Sequence, residues 1–228
     1  MNFSEVVEEL KRFGKEELRS QYRSRGAGEN CFGVSPANLN KLKKKIGVDP
    51  VLALALWNFK NTDGQILAAM IADPQEMTEP QLNAWVRDID YYLVGEAFVS
   101  NVVSKNVFTK ALMLEWIASK EEYVKQCGYL AMASLAQQDP TIPDGEFTDQ
   151  LYAIAHELQN APSRAREAMI NAVIAIGKRN RKLNTEALIA CSQIGSVYID
   201  DGGASRKLPS AMEILGDKKL RKPPARMP

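Results

Sequence analysis

The chain has 228 residues, 45% apolar and 25% charged, with a net charge of +1, a balance that suits a folded domain and excludes intrinsic disorder. No apolar run approaches the roughly 20 residues of a membrane span, and the acidic Met1–Lys11 stretch is unlike a secretory signal. Three scattered cysteines (Cys31, Cys127, Cys191) argue against a disulfide framework or zinc cluster, so a reducing, cytoplasmic location with no membrane partner is expected.

Helix start and stop signals then recur along the chain. Ser4 reads as the cap of a helix over Glu5–Phe13 that Gly14 ends, and Glu16–Arg25 as a second helix, followed by a loop over Gly26–Gly33. Ser35-Pro36 opens a helix running through Leu39 and Leu42 to Gly47. Asp49-Pro50 repeats the device. Val51–Leu56 alternates as a strand would, but its cap, its alanines and the Leu52, Leu56, Phe59 spacing favour a helix. Thr62 and Thr78 read as the next caps, the first of these helices closing at Asp73-Pro74. Tyr91–Ser104, Val107–Ser119 and Glu121–Gln138 follow with almost no linker. In the last of them Tyr123, Cys127, Leu130, Ala131 and Ser134 form a small-residue face suited to close packing. Phe147–Asn160, Ser163–Arg179 (with Ser163 as cap) and Thr185–Gln193 complete the helices, and Val197–Ile199 is the one strand-like segment after the first residues.

Short links between helices of this length imply antiparallel neighbours. Leu67–Pro74 echoes Leu130–Pro140, and Ala172–Gly177 echoes Ala187–Gly195. The expected fold is all-α: an α-α superhelix of HEAT-like antiparallel pairs forming a single domain over 1–217, with a basic flexible tail over 218–228. A compact helical bundle is the alternative. From Ala204 onward seven basic residues stand against Glu213 and Asp217, so that stretch carries +5 and the remainder −4. Such asymmetry suits a partner with phosphates, or simply a solvated tail.

No phosphate-cradling glycine loop, Ser-His-Asp set or metal-ligand spacing is present; His156 stands alone, and neither cofactor nor metal is expected. The richest constellation is Trp85–Phe98. Within it Tyr92 and Glu96 lie four apart and share a helix face. Read structurally, Tyr92 packs in a seam and Glu96 is a surface acid. Lys41, Lys43, Lys44 and Lys45, and then Lys178, Arg179, Arg181 and Lys182, cluster at helix ends, where they complement the helix dipole or track the phosphates of a duplex.

Several blocks resemble the AlkD-type DNA alkylation repair family of HEAT-like α-solenoids, which includes alkylpurine DNA glycosylases. They are Phe32-Gly33-Val34 with the helix continuing Leu39–Lys44, Ala53–Trp57, Trp85–Phe98, Glu121–Gln126, Ile176–Asn180 and Ile194–Pro209. The resemblance implies a grip on double-stranded DNA along a concave face. It also implies a carboxylate beside the deoxyribose of a cationic alkylpurine, stabilising an oxocarbenium-like sugar and positioning water. Carried over, Glu96 falls at the family aspartate and Tyr92 at a tryptophan, as candidate catalytic residues. Gln126 stands where an arginine contacts the backbone, Asn171 at a second tryptophan and Gln65 at an arginine. The candidate DNA-binding set is Gln126, Lys125, Lys43, Lys44, Lys178, Arg179, Arg181 and Lys182.

Three readings follow: an N-glycosylase for alkylated purines, a non-catalytic DNA-binding relative, and a HEAT-like scaffold for a protein partner. Steep weakening of DNA binding with salt separates the first two from the third, and base release separates the first from the second.

Overall fold

Polar caps fix where most helices begin. In the computed structural model, which describes residues 1–217, Asn2 Oδ1 accepts from the Glu5 amide at 2.9 Å while Glu5 Oε2 accepts from the Asn2 amide at 3.0 Å, opening α1 (Phe3–Phe13). The expected cap, Ser4, therefore lies inside the first turn. The expected tail over 218–228 falls outside the described residues. After α2 (Glu16–Ser24), Ser35 caps α3 (Pro36–Ile46) and Asp49 caps α4 (Pro50–Asn58), both with proline at the first turn. Asn61, rather than Thr62, caps α5 (Thr62–Ile71) by accepting from the Gly64 amide at 3.0 Å. Thr78 precedes α6 (Glu79–Arg87), its amide donating to Gln81 Oε1 at 2.9 Å.

The Tyr91–Ser104 segment forms a shorter helix than expected. It is α7 (Tyr92–Asn101) followed by a 3-10 turn over Val103–Lys105. Then come α8 (Thr109–Ile117), α9 (Glu122–Gln138), α10 (Asp144–Glu157), α11 (Ser163–Gly177) and α12 (Arg181–Ile194). Ser163 does not cap α11: its hydroxyl accepts from the Asp200 amide at 2.9 Å. The strand-like segment becomes β1 (Tyr198–Asp200), paired antiparallel with β2 (Ser205–Lys207), Ile199 opposite Arg206. The short α13 (Ala211–Gly216) follows. The described residues are thus all-α apart from one hairpin. They fall into two compact units, Met1–Ala131 and a second that begins at Met132, within the sequence of α9.

In the first unit α5 is buried on almost every side and packs against α3, α4 and α7. Trp57 of α4 stacks on Trp85 of α6 at 4.0 Å and 7°, with Phe98 of α7 tilted against both and Trp116 of α8 beyond it at 6.1 Å. The Phe32-Gly33-Val34 loop has no strand to satisfy its amides. All three donate to the fully buried carboxylate of Asp63, at 2.6, 3.1 and 2.8 Å. Gly33 has φ +76°, and a Cβ there would sit 2.4 Å from the Arg19 amide nitrogen, so no side chain fits.

In the second unit the hairpin is tied to the first turn of α11. Arg164 bonds Glu167 and Asp201, and Arg206 bonds the same two carboxylates. Arg179 turns inward and its guanidinium donates to the carbonyls of Ala136, Asp139 and Ile142, closing the C-terminal end of α9 while lying 5.0 Å from the Phe147 ring. Among the described residues no helix is long and apolar enough to cross a membrane.

Candidate nucleic-acid interface

The first turn of α7 carries the central pair. Tyr91, in extended backbone, precedes the helix and is fully buried; its ring meets that of Tyr92 edge-on at 4.7 Å and that of Tyr22 at 6.0 Å. The Tyr22 hydroxyl in turn donates to the Val34 carbonyl at 3.1 Å, linking this ring cluster to the loop that Asp63 gathers. Burial pushes the Tyr91 hydroxyl far above the ordinary tyrosine range, so it stays protonated. Tyr92 is left half-buried, and one turn on Glu96 is exposed.

Gly95 explains how α9 approaches this turn. A Cβ on it would lie 3.2 Å from Cys127 Sγ and 3.4 Å from Gln126 Oε1. Gln126 is only 3% exposed and its Nε2 donates to the Tyr92 carbonyl at 3.3 Å. The structure therefore sets Gln126 against the first turn of α7 that carries Tyr92 and Glu96, with its side chain buried. Burial, and then the Glu96 charge, push the Cys127 thiol up, which removes it as a nucleophile. Gln65 is likewise buried, at 3%, with no hydrogen bond to Nε2.

Lys43 approaches from α3. Its ammonium donates to Asn101 Oδ1 at 3.4 Å, while Asn101 Nδ2 donates to the Ala97 carbonyl at 2.8 Å, one residue past Glu96. Lys44 is exposed and Lys125 half-buried. In the second unit Lys178, Arg181, Lys182 and Asn171 are exposed, whereas the guanidinium of Arg179 is held by three backbone carbonyls. Sequence reasoning missed Tyr91, Gly95 and Asn101; the adjacent tyrosines and a glycine inside a helix were the available signals. No group of three or more His, Cys, Asp or Glu side chains among the described residues could hold a metal ion.

Comparison with known proteins gives this arrangement a context. The family described as DNA alkylation repair enzyme matches residues 6–208. An uncharacterized protein of Listeria innocua is 22% identical over 220 residues, covering 94% of this chain and 96% of its own, and one of Listeria monocytogenes is 21% identical over the same shares. A solved structure, described as a new family of proteins related to the HEAT-like repeat DNA glycosylases with affinity for branched DNA structures, superposes with a TM-score of 0.88. It is 26% identical, covering 97% of this chain and 94% of that one.

Proposed function

The chain belongs to the DNA alkylation repair enzyme family, and from that premise we propose that it binds DNA, favouring branched forms over linear duplex. The observation that carries this reading is the likeness along 97% of the chain to a protein with affinity for branched DNA structures. Phosphate contact falls to Lys43, Lys44 and Lys125 in the first unit and to Lys178, Arg181 and Lys182 in the second. Gln126 is left out because it is buried, and Arg179 because its guanidinium is held by three backbone carbonyls.

Phosphate contacts release counterions, so log K falls linearly with log salt by about 0.9 per phosphate neutralised. Anisotropy titrations of a labelled four-way junction and a matched duplex test the reading. Binding is expected to be tighter to the junction and to weaken steeply between about 50 and 200 mM salt. Changing Lys43, Lys44 and Lys125 to Gln is expected to lower the slope by roughly 2–3. Absence of binding at low salt, or binding indifferent to salt, overturns it.

A second reading, N-glycosylase activity on cationic alkylpurines, is favoured by Glu96: an exposed carboxylate one turn from a half-buried ring. A carboxylate about 4 Å from an oxocarbenium contributes about 1 kcal/mol in water but about 4 kcal/mol where solvent is excluded. The difference is worth about two orders of magnitude in rate, so excision through Glu96 requires the DNA itself to seal the site. Release of 7-methylguanine or 3-methyladenine that is lost in Glu96→Gln supports this reading; no release, or release unaltered in the variant, removes Glu96 from it.

A further inference from the structure

The two sides of α8 differ in how they are covered. Thr109, Leu112, Met113 and Trp116 are buried. On the other side Leu114 is 48% exposed, and Val107, in the turn before the helix, is 80% exposed. Ala111 and Ala118 are exposed as well. Val107, Ala111, Leu114 and Ala118 follow one another at alternating steps of four and three, the spacing of a seam between two helices. The neighbouring α6 carries Gln81, Arg87 and Asp88 at exposed positions, which is what a solvated helix face needs.

Charges flank this stripe on both sides. Lys110, just before Ala111, lies on one flank, and Glu115, just after Leu114, on the other; both are exposed. Glu115 is oriented by α6, with Asn83 Nδ2 donating to its Oε2 at 3.2 Å and the Arg87 guanidinium 3.9 Å from Oε1. When two copies of such a helix run parallel, each seam residue meets its own counterpart. The flank that holds Lys110 of one copy then holds the partner's Glu115, so two opposite-charge pairs bracket the seam. An antiparallel pair matches each flank with itself and sets like charges near one another. The charges therefore select a parallel arrangement, and the alanines let the two backbones approach to about 8–10 Å. Helix α4 also exposes an apolar pair, Val51 and Leu54, but Pro50 and Ala55 stand at its flanks and supply no charge.

We propose that the exposed face of α8 is a self-association surface, on which a second copy of this chain docks parallel about a two-fold axis along the helix. This goes beyond the DNA-binding reading and does not rest on it. The seam covers roughly 300–400 Å² on each copy, against about 800 Å² for a standard interface. The dimer is accordingly weak, with a dissociation constant of about 0.1 mM, and forms where the local concentration of the protein is high.

The test is sedimentation velocity on the full-length protein without DNA, from about 10 µM to about 1 mM. The wild type is expected to shift from monomer to dimer across this range. Lys110→Glu and Glu115→Lys each set like charges against one another, and each alone is expected to dimerise about tenfold more weakly. An equal mixture of the two variants restores both opposite-charge pairs and is expected to dimerise as the wild type does. Leu114→Glu alters a half-exposed position, leaves the buried side of α8 untouched and is expected to abolish the dimer. A wild type that stays monomeric at about 1 mM overturns the proposal. So does a Leu114→Glu variant that dimerises at wild-type strength, which would place the contact elsewhere. Failure of the mixed variants to associate, with the tryptophan fluorescence of each like that of the wild type, overturns the parallel arrangement and with it the proposal.

Discussion

Replacing Asp63 with alanine strands three buried amides at once, those of Phe32, Gly33 and Val34, which donate to its carboxylate at 2.6, 3.1 and 2.8 Å. Each unsatisfied buried N–H costs about 1–3 kcal/mol, offset in part because alanine no longer buries a charge, so a loss of about 3–5 kcal/mol is expected in the first unit. Asp63→Asn keeps one acceptor oxygen and should lose about 1–3 kcal/mol. All three tryptophans of the chain, Trp57, Trp85 and Trp116, lie in this unit, so their fluorescence in a urea titration reports its unfolding apart from the second unit. The pH dependence carries a further sign. Burial pushes the Asp63 carboxyl above its ordinary 3.8, with the three amides pulling it back. A raised carboxyl stabilises the fold in its protonated form: that contribution is full below about pH 3.8 and is lost as pH rises through the folded-state value. The stability of the wild type relative to Asp63→Asn should therefore shrink as pH rises from 3.8. An alanine variant within about 1 kcal/mol of wild type would refute the view that this carboxylate organises the loop.

Gly128→Ala should destabilise the first unit by about 1–3 kcal/mol in the same fluorescence titration, because its Cβ would sit 2.6 Å from the Ile117 amide nitrogen, which is backbone and has no easy way to yield. Arg179→Met should loosen the end of α9 by about 2–4 kcal/mol, read as faster amide hydrogen exchange over Ala136–Ile142; unchanged exchange would show that the guanidinium closes nothing. Burial pushes the Cys191 thiol up to about 11 and also raises Cys31 and Cys127. A thiol reagent at pH 8 should then label these cysteines only as fast as the protein opens, and rapid labelling of the native state would contradict it.

The helices were largely legible because their caps are local. Ser35-Pro36, Asp49-Pro50 and Thr78 announce α3, α4 and α6 within three or four residues, and the pattern of the family extends along almost the whole chain. Where two polar residues competed for a cap, as Asn2 with Ser4 and Asn61 with Thr62, sequence could not choose, since the choice depends on which side chain the folded first turn faces. The face shared by Tyr92 and Glu96 followed from spacing alone. What lay beyond reach was the direction of the long polar side chains. Gln126 and Arg179 read as surface contacts in one dimension, yet the gap left by Gly95 draws the first against α7, and the open carbonyls at the end of α9 draw the second inward. Asp63 escaped notice for a related reason: its partners sit 29–31 residues earlier in a loop that has no ladder of its own.

The rings of Trp57, Trp85, Phe98 and Trp116 belong to four helices of the first unit, α4, α6, α7 and α8. Stacked helix pairs usually owe their tolerance of change to nearest-neighbour coupling, so that a defect in one pair is felt only next door. A continuous aromatic seam lengthens that coupling. Phe98 touches three indoles, and disturbing it would be transmitted to α4 and α8 together. The block from α4 to α8 should consequently melt as one body, and it would tolerate duplication, deletion or exchange of a single pair far less readily than the repeat character of its sequence suggests.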